Sequence, residues 1–397
     1  MKRIVLSVFL ALVLVLGGLI ACAAPVAPPA APPVAPPVAP PVAPPVAPPV
    51  APPVAPTVTA PEKLFYEGEI ITFVNGSDVG GGTDVWARLF ARYMPRFLPG
   101  GPTIICRNMT AADGMVAGNY MYEVARADGL TIFTGSLTQV LQNILRFPGM
   151  TYHLENMPCV LGYIGGAVTV VSSDVVKDIE GLMEAEGLIF GRDGPTSSGA
   201  QTFIWSAELL DFPVEKMIWG YTGGGPARLA LIAGEINAHT ESVLGYNTSM
   251  LPYIESGEVV ALFQTGIFDV NGNVIRDPGL PDVPTLEEVY KDIYGELPSG
   301  PKYDVYKSLV VGVRGFGKYL TFPPDTPDHI VDMWTKAVRD MANDPEFMKE
   351  FGRVCPGAKM LLTEDSPGMW ESVVCPPAEI VAFAREVLTE EYGVSFD

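Results

Sequence analysis

The sequence predicts an α/β fold of two lobes with mainly parallel sheets. From residue 61 onward, short β-rich runs alternate with amphipathic helical runs, an order typical of layered α/β proteins. Residues 61–397 are too many for one compact core of usual size, so we expect two lobes. Glycine-rich segments follow several predicted strands, as at the ligand-binding edge of such sheets.

Hydrophobic periodicity defines the predicted elements. Apolar residues at helical spacing predict one buried face on the first helix: Trp86, Leu89, Phe90, Tyr93 and Met94. Strands are predicted at 70–74, 103–106, 130–134, 167–171, 187–190, 217–221 and 310–313. Further helices are predicted at 115–126, 175–186, 227–233, 327–340 and 345–352. Asn271-Gly272 predicts a hairpin turn between two short strands.

The N-terminus is typical of an export signal. Residues 1–21 combine Lys2 and Arg3 with an apolar run and small residues before Cys22, so we expect cleavage there. The sequence at 19–22 looks like a bacterial lipobox, which implies lipid on Cys22. An uncut membrane anchor is the alternative, because residues 4–21 are just long enough to span a bilayer. Both interpretations place the remaining chain outside the cytoplasm.

Residues 22–60 are predicted to form a stalk. An Ala-Pro-Pro-Val repeat fills residues 25–56, and proline removes backbone donors and fixes φ. The segment should be a stiff polyproline II rod, at about 3.1 Å per residue. A spacer is therefore favoured over a ligand for an aromatic-lined groove.

Charge and cysteine content exclude several function classes. The formal net charge of −20 argues against nucleic acid, whose phosphates require clustered Lys and Arg. No Cys-x-x-Cys pair or nearby histidine cluster accompanies the cysteines, so no metal or cofactor is expected. Cys355 with Cys375 is the preferred disulfide on closeness in sequence, with free thiols as an equal alternative.

The segment 75–84 is the most informative candidate site. It lies between a predicted strand and a predicted helix, and its glycines allow a ligand to approach backbone N–H groups at the helix start. The candidate ligand contacts here are Gly80, Gly81, Gly82, Thr83 and Asp84. Either Thr83 or Asp84 could instead cap the helix, and a merely tight turn remains the alternative to an anion site.

Two similar loops, at 194–199 and 221–226, also follow predicted strands, and loops at strand ends meet in one crevice. Their candidate ligand contacts are Thr196, Ser197, Ser198, Tyr221, Thr222 and Gly223. A hydrolase using Ser197 or Ser198 as nucleophile is the rival interpretation. Neither serine lies in a Gly-x-Ser-x-Gly motif, and the three histidines lack a triad context.

Several motifs resemble the receptors of tripartite tricarboxylate transporters, also called Bug proteins. They are Gly-Gly-Gly-Thr-Asp at 80–84, Arg-Asn at 107–108, Asp-Gly at 113–114, Ala-Arg-Ala-Asp-Gly at 125–129, Gly-Tyr-Thr-Gly-Gly-Gly-Pro-Ala at 220–227, Gly-Glu-Ile-Asn-Ala at 234–238 and Leu-Pro-Asp-Val-Pro-Thr-Leu-Glu-Glu at 280–288. The resemblance extends from about residue 70 to the C-terminus. It implies a type II periplasmic-binding-protein fold with a hinge, and no catalysis.

The resemblance also implies a domain organisation. The first lobe would comprise about 61–165 plus 305–397, and the second lobe about 166–304. Ser136 and Glu241 join the implied ligand contacts, beside the three loops above. The implied function is capture of a small carboxylate for an integral-membrane permease, with a sensor for a membrane kinase as alternative. An added Asp78 or Glu241 would disfavour a tricarboxylate and suit a ligand that carries an ammonium, such as an amino acid. The expected ligand is therefore a small carboxylate or an acidic amino acid.

Overall fold

Two mixed β-sheets form the centre of the fold. The computed structural model describes residues 64–269, 271–366 and 368–396. The predicted signal peptide, Cys22 and the proline-rich stalk lie outside the described residues. The strands are β1 (Ile70–Asn75), β2 (Thr103–Asn108), β3 (Thr131–Ser136), β4 (Cys159–Ile164), β5 (Ala167–Ser172), β6 (Ile189–Arg192), β7 (Lys216–Trp219), β8 (Ala238–Ser242), β9 (Val259–Gln264), β10 (Ile267–Phe268), β11 (Val274–Ile275), β12 (Lys318–Thr321) and β13 (Lys359–Leu362).

Fourteen α-helices are formed within the described part of the chain. They are α1 (Gly82–Tyr93), α2 (Met115–Glu123), α3 (Leu137–Leu145), α4 (Ile179–Met183), α5 (Ser198–Leu210), α6 (Gly224–Ile232), α7 (Val243–Gly245), α8 (Leu251–Glu255), α9 (Leu286–Tyr294), α10 (Pro301–Val305), α11 (Asp328–Ala342), α12 (Pro345–Val354), α13 (Met369–Val374) and α14 (Ala378–Glu390). None of these helices is both long enough and apolar enough to span a membrane.

The first sheet has the strand order β13-β4-β12-β3-β1-β2, and the second has the order β7-β6-β8-β5-β9. The chain leaves the first sheet after β4, builds the second sheet with β5 to β9, and returns with β12. Strand β1 is parallel to β2 and β3, and β6 is parallel to β7 and β8. Because the carboxyl ends of parallel strands share one edge, their following loops collect there.

Aromatic packing attaches the helices to these sheets. All five apolar residues predicted for the buried face of α1 are buried, and Phe90 contacts Phe347 of α12 with ring centroids 5.3 Å apart. On the second sheet, Phe190 stacks on Phe203 of α5 at 4.0 Å. Each buried aromatic contributes about 1.5–3 kcal/mol relative to exposure, so these contacts hold α1 against α12 and α5 against the second sheet.

The predicted α/β class is confirmed, but the mainly parallel arrangement is not. Strand β12 pairs antiparallel with β3 and β4, and β5 pairs antiparallel with β8 and β9. The predicted strand at 310–313 was wrong, because Tyr306–Val311 and Gly312–Phe316 are helical. A short buried apolar run has no periodicity that separates strand from helix. The predicted hairpin is confirmed by the antiparallel pair β10 and β11.

The preferred disulfide is also not formed. Cys355 and Cys375 are both free, as are Cys106 and Cys159. Cys355 is buried against the first sheet at the end of α12, whereas Cys375 is exposed at the end of α13. Closeness in sequence did not bring the two sulfurs together, since separate helices carry them.

Candidate functional site

A cleft of about 760 Å³ is lined by loops that follow strands of both sheets. From the first sheet come the segments after β1, β2 and β3, and from the second sheet those after β6, β7 and β8. All three glycine-rich loops predicted from the sequence contribute residues to this cleft. The sequence therefore predicted which strand ends converge, although it did not show their distances.

Helices α1 and α6 begin at the cleft without a side-chain cap. Gly81 precedes α1 and Gly223 precedes α6, and neither position has a side chain that could accept the first helical N–H groups. Helix α5 differs, because Ser197 Oγ accepts a hydrogen bond from the Ala200 N–H at 3.3 Å. The uncapped starts offer N–H groups and a partial positive charge to an anion.

Steric crowding explains why glycine stands at both of these helix starts. A Cβ on Gly81 would lie 3.0 Å from Ser77 Oγ and 3.1 Å from the Asp78 carbonyl oxygen. Gly223 has φ of 140°, and a Cβ there would lie 2.6 Å from Asp78 Oδ2. Side chains at either position would therefore fill the space through which the two helix starts face the cleft.

Asp84 holds the first loop in place and does not line the cleft. Its carboxylate accepts hydrogen bonds from the Gly80 N–H at 2.9 Å, Arg88 Nε at 2.8 Å and Asn108 Nδ2 at 2.9 Å. Burial opposes its ionisation, but these hydrogen bonds lower the pKa of Asp84. Asp84 therefore has a structural contact with the first loop, and its ligand contact stays a prediction.

Most of the other predicted ligand contacts line the cleft: Gly80, Gly81, Gly82, Thr83, Ser136, Ser198, Tyr221, Thr222, Gly223 and Glu241. Thr196 and Ser197 do not. Thr196 Oγ1 donates to Asp113 Oδ2 at 3.1 Å, and Ser197 is fully buried as the cap of α5. Among the described residues, Ser197 Oγ accepts from the Ala200 N–H, the Ser198 N–H donates to Thr138 Oγ1, and neither serine is hydrogen-bonded to a histidine.

Glu241 lines the cleft with its charge already compensated. Its carboxylate accepts from Arg228 Nη1 at 2.7 Å and from the Ser242 N–H at 2.9 Å, and His239 Nε2 lies 3.6 Å away. Burial raises the pKa of Glu241, but its basic neighbours lower it below the usual value overall. Its role as partner of a ligand ammonium stays a prediction, and Arg228 already donates a hydrogen bond to this carboxylate.

A loop that sequence reasoning did not assign to the site, residues 110–113, also lines the cleft. Ala112 and Asp113 both have positive φ, of 51° and 53°, which side chains other than glycine rarely adopt. Gln139 Nε2 donates to the Asp113 carbonyl at 2.7 Å, and Gln142 Nε2 donates to the Ala112 carbonyl at 3.2 Å. Helix α3 therefore holds this loop against the cleft.

Two acidic side chains of the first sheet's loops enter the cleft, Asp78 and Asp113, and neither forms an ion pair with another described residue. Burial, followed by the charge of Asp193, raises the pKa of Asp113 to about 6. The same two causes raise the pKa of Asp78, whose Oδ2 is buried without a hydrogen-bond partner. In contrast, Asp193 itself is paired with Arg192 Nε at 3.0 Å.

Four basic residues line the cleft, and none was predicted from the sequence: Arg192, Arg228, Arg314 and Lys318. Arg314 Nη2 donates to Thr202 Oγ1 at 2.6 Å, and burial lowers the pKa of Arg314 to about 10. Each of these residues stands alone in the sequence, without a motif that would mark it. Within the described residues no cluster of His, Cys, Asp or Glu is arranged to hold a metal ion.

No family model and no curated protein matches this sequence. Solved structures do match. The periplasmic binding protein BugD is 22% identical with a TM-score of 0.61, covering 82% of this chain and 98% of its own. MatC from Rhodopseudomonas palustris, with bound malate, is 22% identical with a TM-score of 0.56, covering 81% and 96%. A TctC solute binding protein from Polaromonas is 18% identical with a TM-score of 0.53, covering 80% and 98%.

These neighbours confirm the resemblance that the motifs predicted, at the level of the fold. The chain has the two-lobed fold of type II periplasmic binding proteins. Fold alone does not define a ligand, so function has to be argued from the cleft.

Proposed function

We propose that this chain is an extracytoplasmic solute-binding lipoprotein that captures a small carboxylate and delivers it to a tripartite tricarboxylate-type membrane transporter. One observation carries the proposal: α1 and α6, attached to different sheets, both begin uncapped at one cleft. Two such helix starts suit an anion better than any other small ligand. MatC, which shares the fold, was solved with malate, a small carboxylate.

In this proposal the two sheets are the cores of two lobes that close over the ligand. The first lobe comprises about 61–165 and 305–397, and the second about 166–304. Hydrogen bonds between the sheets' loops support closure, namely Thr196 with Asp113 and the Ser198 N–H with Thr138 Oγ1 at 3.2 Å. A ligand that bridges the same loops would shift an open-to-closed equilibrium towards the closed state.

The ligand class includes acidic amino acids as well as simple carboxylates. Asp78 and Asp113 line the same cleft and form no ion pair in the part of the chain that the structure describes, so their carboxylates can accept hydrogen bonds from a ligand ammonium. A tricarboxylate would bring three negative charges towards these two carboxylates. Mono- and dicarboxylates and acidic amino acids are therefore the favoured ligands.

Delivery requires the protein to remain near its membrane partner. Lipid on Cys22 and a stiff stalk over residues 22–60 would do so, because tethering raises the effective concentration of receptor at the permease. The signal peptide, the lipid and the permease belong to the proposal as expectations from the sequence. Mass spectrometry of the mature protein would detect the cleaved and acylated Cys22.

A thermal-shift screen tests the proposed ligand class directly. The full-length protein in detergent is heated with malate, citrate, L-aspartate, L-glutamate or a neutral sugar at equal concentration. A ligand that binds only the folded state stabilises it by mass action and so raises Tm. At a ligand concentration of 100 times Kd, the stabilisation is about 2.7 kcal/mol. We expect a rise with a dicarboxylate or an acidic amino acid, and no rise with the sugar. No rise with any carboxylate would contradict the proposal.

A further inference from the structure

Lys318 is a buried lysine whose ammonium has no anionic partner. It is the first residue of β12, where it pairs with Ser136 of β3 and Tyr163 of β4, and its relative exposure is 5%. In the described part of the chain the ammonium makes neither an ion pair nor a hydrogen bond, and its contact is the Tyr163 ring, 4.1 Å from Nζ to the ring centroid. Burying an unpaired charge costs several kcal/mol, which one aromatic ring does not offset.

The other basic residues of the cleft are satisfied by the protein itself. Arg192 is paired with Asp193, and Arg228 is paired with Glu241. Arg314 donates to the Val310 carbonyl at 3.0 Å and to Thr202. Arg314 has only neutral acceptors, but its guanidinium is hydrogen-bonded. Among these four residues, Lys318 is therefore the one whose charged group makes no hydrogen bond and no ion pair within the described residues.

Lys318 also lies beside the start of α1. A Cβ built on Gly82, the first residue of α1, would lie 3.8 Å from Lys318 Cε and 3.8 Å from Ser242 Oγ. The ammonium, the first N–H groups of the helix and a serine hydroxyl therefore surround one small volume of the cleft. A carboxylate placed there would receive a charge-assisted hydrogen bond together with the favourable field of the helix.

We propose that Lys318 forms an ion pair with a ligand carboxylate at the start of α1, and so selects anionic ligands over neutral ones. The inference rests on the proposed function and sharpens it by naming the residue that recognises the charge. It predicts that amides and esters of a bound carboxylate are rejected, because they would leave the ammonium buried and unpaired. It also predicts that added salt weakens binding.

The test compares Lys318→Met with the matched control Lys307→Met in the full-length protein. Lys307 also lies near an aromatic ring, with Nζ 5.8 Å from the Phe268 centroid, but it does not line the cleft. Calorimetric titration with malate and with L-aspartate gives Kd for each variant. We expect Lys318→Met to bind about 30-fold more weakly, as for loss of a charged hydrogen bond. Lys318→Arg retains the charge and recovers part of the affinity, and Lys307→Met binds within twofold of wild type.

The Tm of the ligand-free variants separates recognition from folding. Removing an unpaired buried charge should raise the Tm of Lys318→Met, whereas a residue needed only for packing would lower it. Wild-type affinity in Lys318→Met would overturn the inference and leave the proposed function standing. If wild type binds none of the carboxylates of the thermal-shift screen, the proposed function fails, and the ligand role of Lys318 fails with it.

Discussion

The two sides of the cleft differ in how their charges are arranged. On the second sheet's side, Arg192 is paired with Asp193 and Arg228 with Glu241, so this side presents little net charge. On the first sheet's side, Lys318, Asp78 and Asp113 form no ion pair within the described residues. We infer that the first side identifies the ligand by charge, while the second side closes over it mainly with backbone and hydroxyl groups.

The largest expected effect on ligand affinity comes from blocking the start of α1, which lies on the first sheet's side of the cleft. Gly81→Val would place side-chain atoms near Ser77 Oγ and the Asp78 carbonyl, where even a Cβ is tightly packed. We expect malate or L-aspartate affinity to fall by at least about 100-fold, since the N–H groups of α1 would be covered. Isothermal calorimetry measures this change.

Gly352→Val is the matched control, because a Cβ on Gly352 meets nothing within 4 Å and the residue lies in α12, away from the cleft. It should retain wild-type affinity. Equal affinity in Gly81→Val and wild type would show that the start of α1 does not hold the ligand.

The next largest effect is a dependence of ligand affinity on pH, which arises from the titration of Lys318. Burial, together with the positive charge of Arg314, lowers the pKa of Lys318 to about 8. An anionic ligand binds the protonated amine, so affinity is highest below pH 8 and falls as the amine loses its proton at higher pH. Between pH 7 and pH 9 we expect Kd to rise about tenfold.

The other titratable groups that face Lys318 have pKa values outside the range from pH 7 to pH 9. The pKa of Cys355 is raised to about 11 by burial, that of Tyr163 is raised well above its usual value, and that of Arg314 is about 10. Glu241 is ionised throughout, since its pKa is lowered. Calorimetry of Lys318→Arg should show no rise in Kd between pH 7 and pH 9. A wild-type Kd that is constant over this range would contradict an ion pair with Lys318.

The smallest effect on affinity is expected on the second side. Glu241→Gln removes the charge that compensates Arg228, so the free energy of unfolding should fall by about 2 kcal/mol in urea titrations. Affinity for malate should fall less than in Lys318→Met, because the Glu241 carboxylate already accepts a hydrogen bond from Arg228. The reverse order of the two affinity losses would place the charge recognition on the second side.

Sequence reasoning located the cleft better than it located the charges within it. The loop 80–83 and the buried face of α1 were predictable because both depend on residues close together in the chain. The contacts of Asp84 were not predictable in the same way, since its partner Asn108 comes from another strand. No sequence pattern predicted Lys318 as a site residue. Its strand, β12, has four residues, and its position between β3 and β4 depends on long-range pairing.

A crystal structure of the protein with bound malate or L-aspartate tests the central claim most directly. We predict a ligand carboxylate within hydrogen-bond distance of the first N–H groups of α1 and of Lys318 Nζ, with loops of the second sheet closed over it. A ligand bound elsewhere, or one in the cleft with Lys318 still unpaired, would contradict the account.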